Sequence, residues 1–374
     1  MQQSVTVTSQ EFKKKLDAGE IRFIFDLRNR EDFSGWRIEG RTEVEALNIP
    51  QEEFVGEEDS HLAKFPKDRQ IVTICAHGDS SKYTAELLRA KGYDAITLQG
   101  GMDAWSDFYE THTVSDRPAI YQIYRSARGC ITHVIVSEGE AVVIDAVRHT
   151  DQIIDLAVAA KAKITKVFDT HLQADHISGG REIARRTGAT YHIHPVDAAG
   201  AAYSFVPLKD GERITFGKCT LDVIHSPGHT PGSTSFLLDG KVLFTGDTIM
   251  KASIGRPDLG GMADDWAKLL FETLFTRFGK LEGSIVILPT HAFSLKEQDK
   301  DGIVRMTLDE ARTNSDLYQI KEFPAFLGHI KASLMENPQR YQDIRKVNLG
   351  QLDPDEAKRK ELEIGKNLCG MAKD

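Results

Sequence analysis

Four short segments constrain this chain more than its size does. They are Thr170-His171-Leu172-Gln173-Ala174-Asp175-His176, Ser226-Pro227-Gly228-His229-Thr230, Thr245-Gly246-Asp247 and Pro289-Thr290-His291. Each begins just after a strand-like run, and loops at the end of a sheet can face a common cleft. Imidazoles and carboxylates gathered this way are ligand types for zinc or iron. A single histidine of this kind is ordinarily structural; the joint pattern is far more specific.

The runs around these segments alternate strands and helices. Ala141 to Ile144 reads as a strand, followed by a helix from Ile153 to Lys161, strand Val167-Phe168 and a helix at Arg181 to Thr187. Strands at Leu221 to Ile224 and Lys241 to Phe244, a helix at Asp264 to Phe278 and strand Ile285 to Leu288 complete the series. Upstream, Ile21 to Phe25 and Ile71 to Ile74 read as strands, and Ser81 to Lys91 as a helix ending at Gly92. The alternation predicts α/β layers in two units. The polar stretch Thr111 to Pro118 is the candidate joint. Near the end, Asp353-Pro354-Asp355-Glu356 carries a helix-start signature with Asp353 as N-cap.

Charge separates the two units as well. The chain holds 47 lysines and arginines against 56 aspartates and glutamates, net −9. Residues 1–112 contain 14 of the basic and 21 of the acidic residues, so most of the excess lies there. A chain this acidic lacks the basic footprint of a nucleic-acid binder. No apolar run reaches the roughly 20 residues needed to span a bilayer. The start lacks the basic and apolar blocks of a signal peptide, and four scattered cysteines make no disulfide framework. These readings predict a cytoplasmic protein with no nucleic-acid or membrane partner.

In the first unit Cys75 follows a strand, and Ala76-His77-Gly78-Asp79-Ser80 turns directly into a helix. That turn surrounds the sulfur with backbone N–H groups and a helix N-terminus, which favour an anionic sulfur species. With Asp26-Leu27-Arg28, Asn48-Ile49-Pro50 and Gly100-Gly101-Met102-Asp103-Ala104-Trp105, residues 5–110 resemble a rhodanese (sulfurtransferase) domain. The resemblance implies that Cys75 is catalytic and carries a persulfide. Rhodanese loops commonly have an arginine five residues after the cysteine. Here Ser80 stands there with Asp79 beside it, which weakens the case for a dianionic donor such as thiosulfate.

Residues 119–330 resemble the metallo-β-lactamase fold, whose loop reads His-x-His-x-Asp-His, followed downstream by histidine, aspartate and histidine. In this chain the second loop histidine is Gln173. In two-zinc hydrolases of the fold, such as glyoxalase II, that residue helps bind the first metal. Its loss leaves His171, His229 and Asp247, two imidazoles and a carboxylate, the facial triad of non-haem iron(II) oxygenases. The arrangement looks like the persulfide dioxygenases, which bind one iron through these equivalents. In that family the second loop histidine is usually present without being a ligand. The resemblance makes Asp175, His176 and His291 second-shell or second-metal groups, with Gln173 beside them. Arg256, in Ser253-Ile254-Gly255-Arg256-Pro257-Asp258, is implied to face the carboxylate of the thiol cosubstrate. Ala292-Phe293 replaces an Asp-Tyr pair typical of many relatives.

The expected architecture is therefore α/β throughout. A rhodanese-like α/β domain (1–112) precedes a metallo-β-lactamase αββα sandwich (119–330), and a C-terminal helical extension (331–374) follows. The expected function is a persulfide dioxygenase with one Fe(II) per chain. It would oxidise a low-molecular-weight thiol persulfide with O2 to sulfite, coupled through Cys75 to sulfur transfer and thiosulfate. Glutathione, bacillithiol and coenzyme A all stay open as the thiol. A zinc-dependent, glyoxalase II-like thioester hydrolase is the main alternative, and a non-enzymatic sulfur carrier or partner-binding protein the third. A homodimer is compatible with the fold and is not fixed by the sequence. His192 and His194 share one side of a strand, and both are read as structural. So are Cys130, Cys219 and Cys369, which lack ligand spacing.

Overall fold

A computed structural model describes residues 4–258, 261–334, 340–365, 367 and 370. Its contacts divide the chain into two units. One is residues 1–110 with 125–128 and 294–296; the other is the remainder.

The first unit is built on a five-stranded parallel sheet: β1 (Thr6–Val7), β2 (Phe23–Asp26), β3 (Glu45–Asn48), β4 (Ile71–Ile74) and β5 (Ala95–Leu98). The strand order is β1-β5-β4-β2-β3. β4 lies in the middle with every residue buried, which is why Ile71-Val72-Thr73-Ile74 is β-branched throughout and apolar but for Thr73, whose hydroxyl donates to Ser81 O. Phe23, Phe25, Phe54, Phe65 and Leu88 pack into its core.

The second unit holds two more sheets. In the first, β6 (Tyr109–Asp116), β7 (Ala119–Arg125), β8 (Ile131–Ser137), β9 (Glu140–Ile144), β10 (Lys163–Phe168), β11 (Thr190–Ile193) and β12 (Val206–Pro207) follow one another in sequence order. The other comprises β13 (Arg213–Phe216), β14 (Cys219–His225), β15 (Thr234–Leu238), β16 (Val242–Gly246), β17 (Val286–Pro289) and β18 (Met306–Thr307), also in sequence order. Ile135, Val142, Ile144 and Phe168 of one sheet meet Phe216, Leu221, Phe236 and Phe244 of the other in a single core. Outside the second sheet, Leu270, Leu274, Phe278, Phe326 and Ile330 pack on Leu243 and Ile287. The result is the expected αββα layering, with the helices Arg340–Asn348 and Glu356–Leu362 following it. No helix among the described residues is long and apolar enough to cross a membrane.

Two local expectations are corrected. The second unit does begin at Thr111, at the expected joint, but the polar stretch there is strand and not loop, since Thr111 to Asp116 lies inside β6. The last helix is capped by Asp355 rather than Asp353: the Asp355 side chain accepts from Lys358 N, while Asp353 is taken up by Arg359. Cys219 is a buried core residue, and Cys369 lies outside the described residues.

Candidate metal centre and cysteine loop

The central strand β4 ends at Cys75, and Gly78 opens the helix Asp79–Ala90. Backbone N–H groups of Gly78 and Ser81 point at Cys75 Sγ, at 3.1 and 3.4 Å, and Ser81 Oγ lies 3.3 Å away. Gly78 has φ of 100°, and a Cβ there would come within 2.7 Å of Gly100 N, so the turn requires glycine. Met102 N and Asp103 N donate to the carbonyls of Cys75 and Ala76. The Gly100-to-Trp105 motif thus holds the loop's carbonyls outward while its N–H groups converge on sulfur, an anion-binding nest. His77 and Asp103 form an exposed pair 2.7 Å apart beside it.

In the second unit each of the four segments leaves the C-terminal end of a strand: β10, β14, β16 and β17. His171, His229 and Asp247 come together, all buried. Asp247 Oδ2 lies 3.8 Å from His171 Nε2 and 3.6 Å from His229 Nε2. These separations exceed a hydrogen bond, and both Asp247 Oδ2 and His171 Nε2 are buried without a hydrogen-bond partner. Orphaned buried atoms are costly unless something binds them, and metal bonds of about 2.0–2.2 Å would place ligand atoms at such separations.

Surrounding groups fix the tautomers of these imidazoles. His229 Nδ1 donates to Arg256 O at 3.0 Å, and His171 Nδ1 meets Thr170 Oγ1 at 2.9 Å, which leaves both Nε2 atoms able to take a metal. A Cβ on Gly255 would reach within 2.8 Å of His229 Nδ1, so glycine is what lets this backbone approach the ring. Burial lowers His171 to about 3 and lowers His229 as well, keeping both neutral. Burial, the largest single influence, works against ionising Asp247, but the neighbouring imidazoles, His291 foremost, together outweigh it and hold the carboxyl down at about 2.

Asp175, His176 and His291 form a second buried group, which Cys130 joins; one ligand atom from each lies within 4.8 Å of the others. His291 spans both groups, with Nδ1 2.6 Å from Asp247 and Nε2 3.0 Å from Asp175. His176 Nδ1 lies 3.1 Å from Asp175, while its Nε2 has no hydrogen-bond partner. Cys130 reaches this place because its backbone bridges to His291. Sequence spacing gave no sign of it, since that bridge joins distant parts of the chain.

Gln173 is buried and donates through Nε2 to Asp145 at 3.2 Å, and its Oε1 has no hydrogen-bond partner. Asp145 also accepts from Thr170 N, Thr170 Oγ1 and Thr290 Oγ1, tying the His171 loop to the His291 loop. It does so at φ 51°, a strained conformation for a residue with a side chain. Asp197 plays the same part for His171 and His229: it accepts from Leu172 N, Thr230 Oγ1 and Gly232 N. Neither carboxylate was singled out from the sequence. Arg256 is buried, with its fork closed on Asp258 at 2.7 and 2.6 Å. His192 is buried against Phe168, and His194 stacks on His225 at 4.4 Å; neither joins a donor group.

Comparison with known proteins fits this geometry. Residues 8–108 match the rhodanese-like domain family, and residues 126–291 the metallo-beta-lactamase superfamily. The persulfide dioxygenase ETHE1 of Bos taurus is 31% identical over 209 residues, covering 54% of this chain and 77% of that protein. The chain belongs to the persulfide dioxygenase family. The crystal structure of ETHE1 from Myxococcus xanthus superposes with a TM-score of 0.54 at 25% identity, covering 62% of this chain and 99% of that one. A hydroxyacylglutathione hydrolase from Fuscovulum blasticum is 38% identical over 115 residues, 30% of this chain and 45% of that protein. This family member therefore carries a rhodanese-like domain ahead of its metallo-beta-lactamase domain, and a buried donor set able to hold a metal.

Proposed function

We propose that this chain oxidises the persulfide of a small thiol with O2 at one Fe(II) held by His171, His229 and Asp247. The observation that carries the reading is this converging buried triad, with His171 Nε2 and Asp247 Oδ2 left without hydrogen-bond partners and Gln173 bonded to Asp145 where a zinc hydrolase would present a third imidazole. Iron so bound supplies electrons and open positions for two reactants. The overall change is persulfide, O2 and water giving thiol, sulfite and two protons. His291, between Asp175 and Asp247, is placed to hold a proton at the edge of the site and to fix the Asp247 carboxylate. Arg256 would meet the thiol's carboxylate, its orientation set by Asp258. In the first unit Cys75 would carry the outer sulfur as a persulfide within its ring of N–H groups. Sulfite is the natural acceptor there, giving thiosulfate.

The second donor set, with Cys130, supports one competing reading: a two-metal zinc thioester hydrolase, in which a metal-bound hydroxide attacks an acyl carbon. Metal analysis together with two assays separates them. Iron with persulfide-dependent O2 uptake is the expected result. Zinc with thioester cleavage and no O2 uptake would overturn the proposal.

A further inference from the structure

The C-terminal segment provides partners that the metal-bearing loop lacks on its own. Buried backbone groups of a loop must find hydrogen bonds. Four of them in Gln173–Ser178 find theirs far along the chain. Asn348, at the end of the helix Arg340–Asn348, is buried and uses its whole amide: Nδ2 donates to Gln173 O and His176 O, each at 2.9 Å, and Oδ1 accepts from Ser178 N at 2.9 Å. Glu363, just past the helix Glu356–Leu362, is also buried. Its Oε1 accepts from Ile177 N at 2.7 Å, and its Oε2 meets Arg148 Nε at 2.7 Å. Between these polar contacts, Ala174 and Ile177 of the loop pack on Tyr341, Ile344, Val347 and Leu362. Arg181 and Tyr203 anchor the same turn through the carbonyls of Val347 and Asn348.

The loop so held carries Asp175, which lies 3.0 Å from His291; His291 in turn lies 2.6 Å from Asp247. We propose that Asn348 and Glu363 are positioning residues of the metal centre. The C-terminal segment clasps Gln173–Ser178 and, through Asp175 and His291, sets the orientation of the Asp247 carboxylate. The inference rests on Asp247 being a ligand, as proposed above. It does not depend on which reaction the loaded centre performs.

The test uses the full chain loaded with Co(II) as the probe, read by visible absorption and by the rate of metal release to EDTA. Asn348→Asp keeps the size of the side chain and its bond from Ser178 N, but loses both donated bonds and sets a carboxylate oxygen against two carbonyls. It is expected to release Co(II) about tenfold faster, the lower end of the range for losing an outer partner of a metal site, with an altered absorption spectrum. Ile344→Val loosens the same packing without touching a loop hydrogen bond. It should lower the urea midpoint yet leave release and spectrum at wild-type values. Wild-type release from Asn348→Asp, or acceleration in both variants in step with their lost stability, would overturn the clasp. Should Asn348→Asp not fold, Glu363→Ala, which removes the acceptor for Ile177 N, is read the same way. Wild-type protein that binds Co(II) normally but, loaded with iron, consumes no O2 with a persulfide would overturn the proposed function and leave the clasp standing.

Discussion

The two candidate sites are built from different materials. Around Cys75 the chemistry comes from main chain: N–H groups of Gly78 and Ser81 aimed at sulfur, held by a glycine turn and by carbonyls tied to Met102 and Asp103. Around His171, His229 and Asp247 it comes from buried side chains, each locked by a further side chain or carbonyl. A main-chain site tolerates changes in its side chains, so Ser80 can stand where relatives of the first unit carry arginine without dissolving the loop. A side-chain site does not. The proposed ligands cannot be exchanged, and their buried supports, Asp145 and Asp197, extend the constraint well beyond those three residues.

Changes to the side-chain site should therefore have the largest effects. Asp247→Asn removes the only carboxylate of the triad and is expected to weaken metal binding by more than about 100-fold, beyond the range of outer partners. Metal content after dialysis checks this. Retained metal would move the site to the second donor group. Cys75→Ala should abolish labelled persulfide on the chain while leaving metal content and O2 uptake unchanged; loss of both activities would show that the two sites are not separable in this way.

Acid should distinguish the units next. Burial lowers His133, in the second unit, to about 3, against an ordinary value near 6.5. The unfolded chain thus binds the extra proton first as pH falls. The stability this neutral imidazole protects is complete above pH 6.5 and is lost on the way down towards 3. For one group that is roughly 2 kcal/mol between pH 6.5 and 5. His133→Phe should flatten that part of the urea-midpoint profile for the second unit, and an unchanged slope would remove His133 from the account. The smallest effect is expected at Gln173. Gln173→Ala should keep its iron, and Gln173→His should raise zinc occupancy without displacing iron-binding ability. Iron lost from Gln173→Ala would make the amide a ligand.

Legibility in the sequence follows the same division. The four segments proposed to hold the metal stood out because each sits at the end of a short strand, where periodicity changes abruptly. The α/β alternation was readable because buried strands such as β9 and β16 form short apolar runs; the αββα layering was implied by the family resemblance, and β13 was not read at all. Cys130, Asp197, Asn348 and Glu363 were not readable. Each acts through a partner distant in sequence, and an isolated buried cysteine, aspartate, asparagine or glutamate has no period or spacing to betray it. At Thr111–Pro118 the joint was legible but its structure was not, because a polar strand at a sheet edge looks like irregular chain. Asp353 misled because proline at the first position and glutamate at the third fit it as a cap, whereas the helix starts two residues later, with Pro354 ahead of the true cap Asp355.

The central claim is that one iron at the His171, His229 and Asp247 triad suffices for the reaction. Titrating metal-free protein anaerobically with Fe(II), then measuring persulfide-dependent O2 uptake at each step, tests it most directly. Uptake should rise linearly to about one iron per chain and then stay level, with a facial triad holding a single ion. A rise that continues to a second equivalent, or activity restored by zinc in place of iron, would contradict it.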